Sequence, residues 1–333
     1  MTGHLTAGVV AVVTLAFLFD FMNGMHDAAN SIATIVSTRV LSPKQAVLWA
    51  AFFNFIAAFF FNVHVADTIG KGLVDPHVID TSVIAGALIG ASLWDWITIH
   101  FGIPVSSSHA LIGGLIGAGV AKAGFDCLLY EKLKVIVLFI FLSPLIGLVF
   151  GFGLMVAVFW LFRRRSPSQV DRTFRVGQLI SAALYSLSHG ANDGQKTMGV
   201  IAVLLYSNGL LGDKFYVPNW VIVACCAVIA LGTMSGGWKI VNTMGNKVTK
   251  LKPVGGFCAE TGAGLSILIC SFFGIPVSTT HTITGAIVGV GTTQRLSAVR
   301  WGVAGRIVWA WVLTIPCAAV TSALTYKLIA LVV

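Results

Sequence analysis

Charge is what this sequence has least of. Of its 333 residues, 10% are Asp, Glu, Lys or Arg, where a soluble domain carries about 25%, and only 12 of them are acidic. With 57% of the residues hydrophobic, too little polar surface remains to cover a soluble core, and a soluble fold is excluded. Metal-type and disulfide-type cysteine patterns are absent too. Among the six cysteines, Cys225, Cys226, Cys258, Cys270 and Cys317 fall in apolar stretches and Cys127 in an expected loop, and no spacing matches a zinc site or a disulfide framework. The first apolar stretch lacks the basic leader and small-residue cleavage site of a signal peptide and runs straight into polar residues. It is expected to remain as a first helix.

What the chain has is long apolar runs. A membrane span takes about 20 apolar residues, because every backbone polar group must be bonded inside the segment. Such stretches lie near 5–22, 44–63, 82–101, 134–162, 176–206, 218–236, 256–273 and 302–332. Two shorter Gly-rich pieces, 104–120 and 276–292, fall at or below a comfortable span and predict hairpin arms or discontinuous helices. The fold class is therefore all-α integral membrane.

The sequence also repeats itself. FGIPVSSSHALIGGLIGAGV at 101–120 aligns without gaps on FGIPVSTTHTITGAIVGVGT at 273–292, with half of the positions identical. A second pair, NGMHDAAN at 23–30 and HGANDGQK at 189–196, keeps Gly24 with Gly190 and Asp27 with Asp193 in register. The chain divides into a first repeat, 1–162, a basic linker, 163–175, and a second repeat, 176–333.

Charge gives the orientation. Arg163, Arg164, Arg165, Arg172 and Arg175 crowd the junction against Asp171 alone, which puts that loop in the cytoplasm. The loop 237–253 carries Lys239, Lys247, Lys250 and Lys252 and no acid, whereas its first-half counterpart at 64–80 carries Asp67, Asp75 and Asp80 against Lys71. Equivalent loops thus fall on opposite sides, so the repeats are inverted and both termini are expected outside. The net charge of +9 is read as this inside bias rather than as a nucleic-acid surface. The expected location is a cell membrane crossed many times, in bacteria the inner membrane.

Inverted-repeat transporters place their site near the midplane, where broken helices aim backbone N–H groups at an anion. Pro104 and Pro276 stop or start a helix, and Ser106, Ser107 and Ser108, or Ser278, Thr279 and Thr280, follow with hydroxyl donors at N-cap positions. Small hydroxyl residues also serve ordinary helix packing, but a duplicated run after proline points to an oxyanion held between two tips. His109 and His281 close the motifs and could donate to the anion, carry a proton or hold the tip through a backbone carbonyl. Asp27 and Asp193 lie in apolar sequence, where a carboxylate is read as functional, with His26, Asn30 and Asn192 beside them. The group could bind a cation or carry a proton. Lys196 stands where the first repeat has Asn30, and a fixed ammonium one turn from Asp193 could replace a bound cation, which favours proton coupling over sodium. The alternative is a structural ion pair. Asp20, Asp95 and Glu260 are further acids in apolar sequence, and Glu260 is expected either to line the inner pathway or to pair with Lys250 or Lys252 by snorkelling.

The strings NGMHDAAN, SHGANDGQKTMG and both copies of FGIPVS[ST][ST]H resemble the inorganic phosphate transporters, the Pit-type permeases, over essentially the whole chain. The resemblance implies an inverted-repeat symporter that moves phosphate with sodium or protons, and the GANDGQK form is similar to the bacterial low-affinity, proton-linked branch. It also implies that phosphate can travel with a divalent metal as a neutral complex and that Ser107, Ser278, Asp27 and Asp193 are site candidates, whereas the brief central loop, 163–175, predicts no large cytoplasmic regulatory domain there. No cofactor is implied beyond membrane lipid, the substrate and its coupling ion, and dimerisation is left open. Three competing readings remain. A sulfate or other oxyanion permease shares the fold, although sulfate has no hydroxyl to donate to a carboxylate. A channel fits a doubled, discontinuous site poorly, and an enzyme lacks a third residue to orient either Ser-His pair.

Overall fold

The computed structural model describes residues 6–60, 63–70 and 73–332, and among these residues the chain is helical, with one isolated bridge between Val74 and Leu128. The first half runs α1 (Ala7–Ser37), α2 (Pro43–Ile56), α3 (His64–Gly70), α4 (Thr81–Phe101), α5 (Ser107–Ala123) and α6 (Tyr130–Phe162). The second half repeats the order as α7 (Pro167–Ser207), α8 (Asn219–Ser235), α9 (Trp238–Asn242), α10 (Pro253–Phe272), α11 (Thr279–Gln294) and α12 (Trp301–Ala330). Among the described residues five helices are long and apolar enough to cross a membrane, or up to seven if each bent pair counts as one span.

Several expected boundaries move. The first helix does not stop before the polar motif near residue 22 but carries it, because Asn23, Asp27, Asn30 and Thr34 recur at helical spacing and are all buried. The expected loops 64–80 and 237–253 contain α3 and α9, the latter continued by a π turn, Thr243–Lys247, and α8 meets this piece at a 65° bend. Most of the basic stretch 163–175 is the first turns of α7, started by the Ser166 cap and Pro167. Lys71, used in the charge comparison, lies outside the described residues.

The halves interlock. The helix α6 packs on the α10–α11 hairpin of the second half, and α12 packs on the α4–α5 hairpin of the first. Similarly α1 crosses α8, and α7 crosses α2 and α3. The repeated glycines sit at two of these crossings, where a Cβ on Gly24 would lie 2.2 Å from Ile229 O and one on Gly190 would lie 2.5 Å from Asn54 O. Only glycine allows such backbone approach.

Two apolar clusters flank a polar layer. Along α1 the chain passes from the first cluster (Val9, Val12, Phe19) to the second (Ile32, Ile35). Along α7 it passes from the second (Ala182, Tyr185) to the first (Ile201, Leu205). The two central helices therefore run in opposite senses, as an inverted repeat requires, and their polar motifs meet between the clusters.

Candidate functional site

Each hairpin turns the same way. After α4 the chain reverses at Gly102, φ 67°, and after α10 at Gly274, φ 68°, a left-handed conformation that glycine adopts without steric cost. An extended Ile-Pro-Val leads to an N-cap serine, whose hydroxyl oxygen accepts from a backbone N–H in the first turn: Ser106 from His109 N at 3.3 Å and Ser278 from His281 N at 3.2 Å. These two serines are spent on capping. The remaining hydroxyls, Ser107 and Ser108 on α5 and Thr279 and Thr280 on α11, begin the helices proper.

The tips face one another across α1 and α7. Thr279 Oγ1 donates to Asp193 Oδ2 at 2.8 Å, and Thr280 Oγ1 to Asp27 Oδ1 at 3.3 Å. Asn30 Nδ2 donates to Thr280 Oγ1 at 2.9 Å and Thr279 Oγ1 at 3.3 Å. Lys196 reaches both hairpins, donating to Ser108 Oγ of the first and to Val277 O of the second at 2.9 Å, and it also pairs with Asp193. The pseudo-equivalent positions thus do different work. Asn30 holds a neutral hydroxyl pair, whereas Lys196 places a buried ammonium among three oxygens.

His189, a residue of the SHGANDGQKTMG string that the motif reading did not single out, completes the cluster. Its Nε2 lies 3.0 Å from Asp193 Oδ2 and 3.9 Å from Asp27 Oδ2, and its Nδ1 is 3.2 Å from Asn54 Oδ1. Asp27, His189 and Asp193 each offer a ligand atom within 4.8 Å of the others, a spacing that could hold a cation. The signal was available, since His189 is four residues before Asp193 and so shares its helix face.

The other candidates divide. His26 Nδ1 is 2.8 Å from Asp27 Oδ1, so it belongs to the cluster, while Asn192 turns away and donates to Ser271 Oγ at 2.8 Å. His281 holds its tip through a carbonyl, with Nδ1 3.3 Å from Ile140 O. Its ring stacks on Trp311 at 3.9 Å and meets His109 edge-on at 4.7 Å, and Trp311 Nε1 donates to Pro104 O at 3.1 Å. Trp311 therefore ties the two tips together. Glu260 pairs with neither Lys250 nor Lys252. It is buried beside neutral donors instead, accepting at Oε1 from Thr34 at 2.5 Å and Gln178 at 3.0 Å, and at Oε2 from Ser181 at 2.5 Å. Asp20 accepts from Thr197 Oγ1 at 2.9 Å. Asp95 is buried with no hydrogen-bond donor to either oxygen among the described residues.

A sequence model described as the phosphate transporter family matches residues 23–322. A probable low-affinity inorganic phosphate transporter of Rhizobium meliloti is 60% identical over 318 residues, covering 96% of this chain and 95% of the relative. One of Bacillus subtilis is 43% identical over 319 residues, covering 95% and 96%. Among solved structures, a sodium-dependent phosphate transporter superposes with a TM-score of 0.90 at 27% identity, covering 98% of this chain and 100% of its own.

Proposed function

The chain belongs to the phosphate transporter family, and from that premise we propose that it carries inorganic phosphate by proton-coupled symport, with the anion held between the two hairpin tips and the halves 1–162 and 176–333 alternating about it. One observation carries the reading: both tips converge on a single buried carboxylate pair, the second directly, through Thr279 on Asp193 at 2.8 Å and Thr280 on Asp27 at 3.3 Å, and the first through Lys196, which bridges Ser108 and Asp193. The N–H groups that the serine caps leave in the first turns of α5 and α11 suit an oxyanion, together with the Ser107 hydroxyl, which has no partner among the described residues, while Ser108, Thr279 and Thr280 would exchange their bonds to Lys196, Asp193 and Asp27 for it. Asp27 and Asp193 can accept the hydroxyl of HPO₄²⁻.

That arrangement demands a cation. A phosphate charge 4 Å from a carboxylate costs about 4 kcal/mol at an effective dielectric near 20, so the anion enters only with positive charge. Lys196 supplies one fixed unit beside Asp193, which leaves Asp27, with His26 at 2.8 Å, to take up the mobile one. A proton suits this asymmetric pair, because an alkali ion at the second repeat would have to share oxygens with the ammonium.

Two finer readings have support of their own. The structural neighbour is sodium-dependent by name, and the Asp27–His189–Asp193 spacing would also suit sodium or a divalent metal travelling with phosphate as cargo. Competition separates the substrate class: labelled phosphate uptake into proteoliposomes is expected to fall with arsenate, which keeps the hydroxyl, and to resist sulfate, which lacks it. Equal inhibition by sulfate would remove the carboxylate acceptors from the account of selectivity.

A further inference from the structure

A groove of about 460 Å³ opens beside the basic junction, where the end of α6 meets the starts of α7 and α10. Its wall is apolar, with Met155, Val158 and Phe159 of α6, and its rim carries Arg163, Arg165 and Lys252. The acid lining it, Asp171, is engaged by Arg175 at 2.9 Å, which leaves the three rim cations in excess. The floor adds more positive character. α10 begins at the groove with Lys252 as its cap and Pro253 in the first turn, and the cap side chain makes no bond to that turn, so Val254 and Gly255, both lining residues, bring the positive end of a 20-residue helix to the groove. Beside it the Arg163 guanidinium lies 5.0 Å over the Trp160 ring, and Trp160 is 65% exposed, the position of an interfacial belt aromatic.

The levels match those of a lipid. Cations and an open helix start sit at headgroup depth, and an apolar trough continues below them toward the hydrocarbon. A free oxyanion would use the rim and leave the trough unfilled, whereas an acyl chain fills it, gaining roughly 0.8 kcal/mol per buried CH₂. We propose that this groove binds an anionic phospholipid, the phosphate group seated between Arg163, Arg165, Lys252 and the first turn of α10 and an acyl chain lying along Met155, Val158 and Phe159. The lipid joins α6 to α10, the first arm of the second hairpin. The site stands apart from the transport reading, since none of its residues belongs to the tip cluster.

Native mass spectrometry of the full chain in mild detergent tests this, with phosphatidylglycerol and phosphatidylcholine as probes. Phosphatidylglycerol is expected to be retained about tenfold or more over phosphatidylcholine. That preference is lost in R163Q/R165Q/K252Q and kept in K44Q/K247Q, which changes two exposed lysines outside the groove. Phe159→Ser, at a lining residue that is 46% exposed, removes apolar contact and leaves every charge; it is expected to weaken retention as well, and it decides the matter alone if the triple variant fails to fold. Inorganic phosphate at millimolar concentration is expected not to displace the lipid. Equal retention of the two lipids, a preference that survives the triple variant, undiminished retention in Phe159→Ser, or displacement by phosphate would each overturn the assignment.

Discussion

Replacing Lys196 with Met removes an ammonium that touches Asp193, Ser108 Oγ and Val277 O while keeping much of the side-chain volume. Breaking a buried ion pair from one side costs about 3–5 kcal/mol, because the remaining charge is left without compensation. Asp193 Oδ2 keeps Thr279 at 2.8 Å and His189 at 3.0 Å, so the loss is expected near the lower end, about 3 kcal/mol. Equilibrium unfolding of purified protein in detergent measures it. K196M/D193N is expected to recover to within about 1 kcal/mol of the parent, since the orphaned charge is gone. Three oxygens then remain around the space the ammonium filled in K196M, and oxygen ligands suit a hard alkali cation. Sodium chloride, compared with choline chloride, should stabilise K196M and not the parent, by about 2.7 kcal/mol at a hundredfold excess over the dissociation constant. A K196M protein as stable as the parent, unimproved by D193N and indifferent to sodium, would refute the view that Lys196 stands in for a bound cation.

Gly24→Ala and Gly190→Ala drive a methyl to 2.2 Å from Ile229 O and 2.5 Å from Asn54 O, and each should lower stability by about 1–3 kcal/mol or more, read as a fall in unfolding midpoint, whereas Gly153→Ala, which meets nothing within 4 Å, should be silent. Glu260→Gln can keep contacts to Thr34, Gln178 and Ser181 after its amide and the hydroxyls reorient, and should cost about 1 kcal/mol. Glu260→Ala, which strands three donors, should cost about 2–4 kcal/mol in the same unfolding assay. Trp311→Phe loses the donor to Pro104 O but not the ring against His281, and the expected penalty is about 1 kcal/mol, with Trp311→Ala losing more.

Much of this was readable because it is local. The duplicated Pro-Val-Ser run encodes a helix break at proline and a serine cap within one turn of chain, and the structure builds two matching hairpins from it. The inversion was readable from loop charge, and it appears as α1 and α7 traversing the two apolar clusters in opposite senses. Three things were hidden for different reasons. The continuity of α1 through its polar motif was masked by treating polarity as an interruption, although Asn23, Asp27, Asn30 and Thr34 keep helical spacing. The surroundings of Glu260 were not local at all, since its partners Thr34, Gln178 and Ser181 come from α1 and α7. A lysine nearby in sequence was the wrong guess because the helix start carries Lys250 and Lys252 to the surface while Glu260 points into the interior. Asn192 was misplaced by one helix face, a 100° step from Asp193 that sends it to Ser271.

Proteoliposomes with separately imposed gradients test the central claim most directly. Labelled phosphate should accumulate under an inward proton gradient in sodium-free buffer, collapse with a protonophore, and fail to accumulate in Asp27→Asn. Uptake that requires sodium at fixed pH and ignores the protonophore would contradict the account.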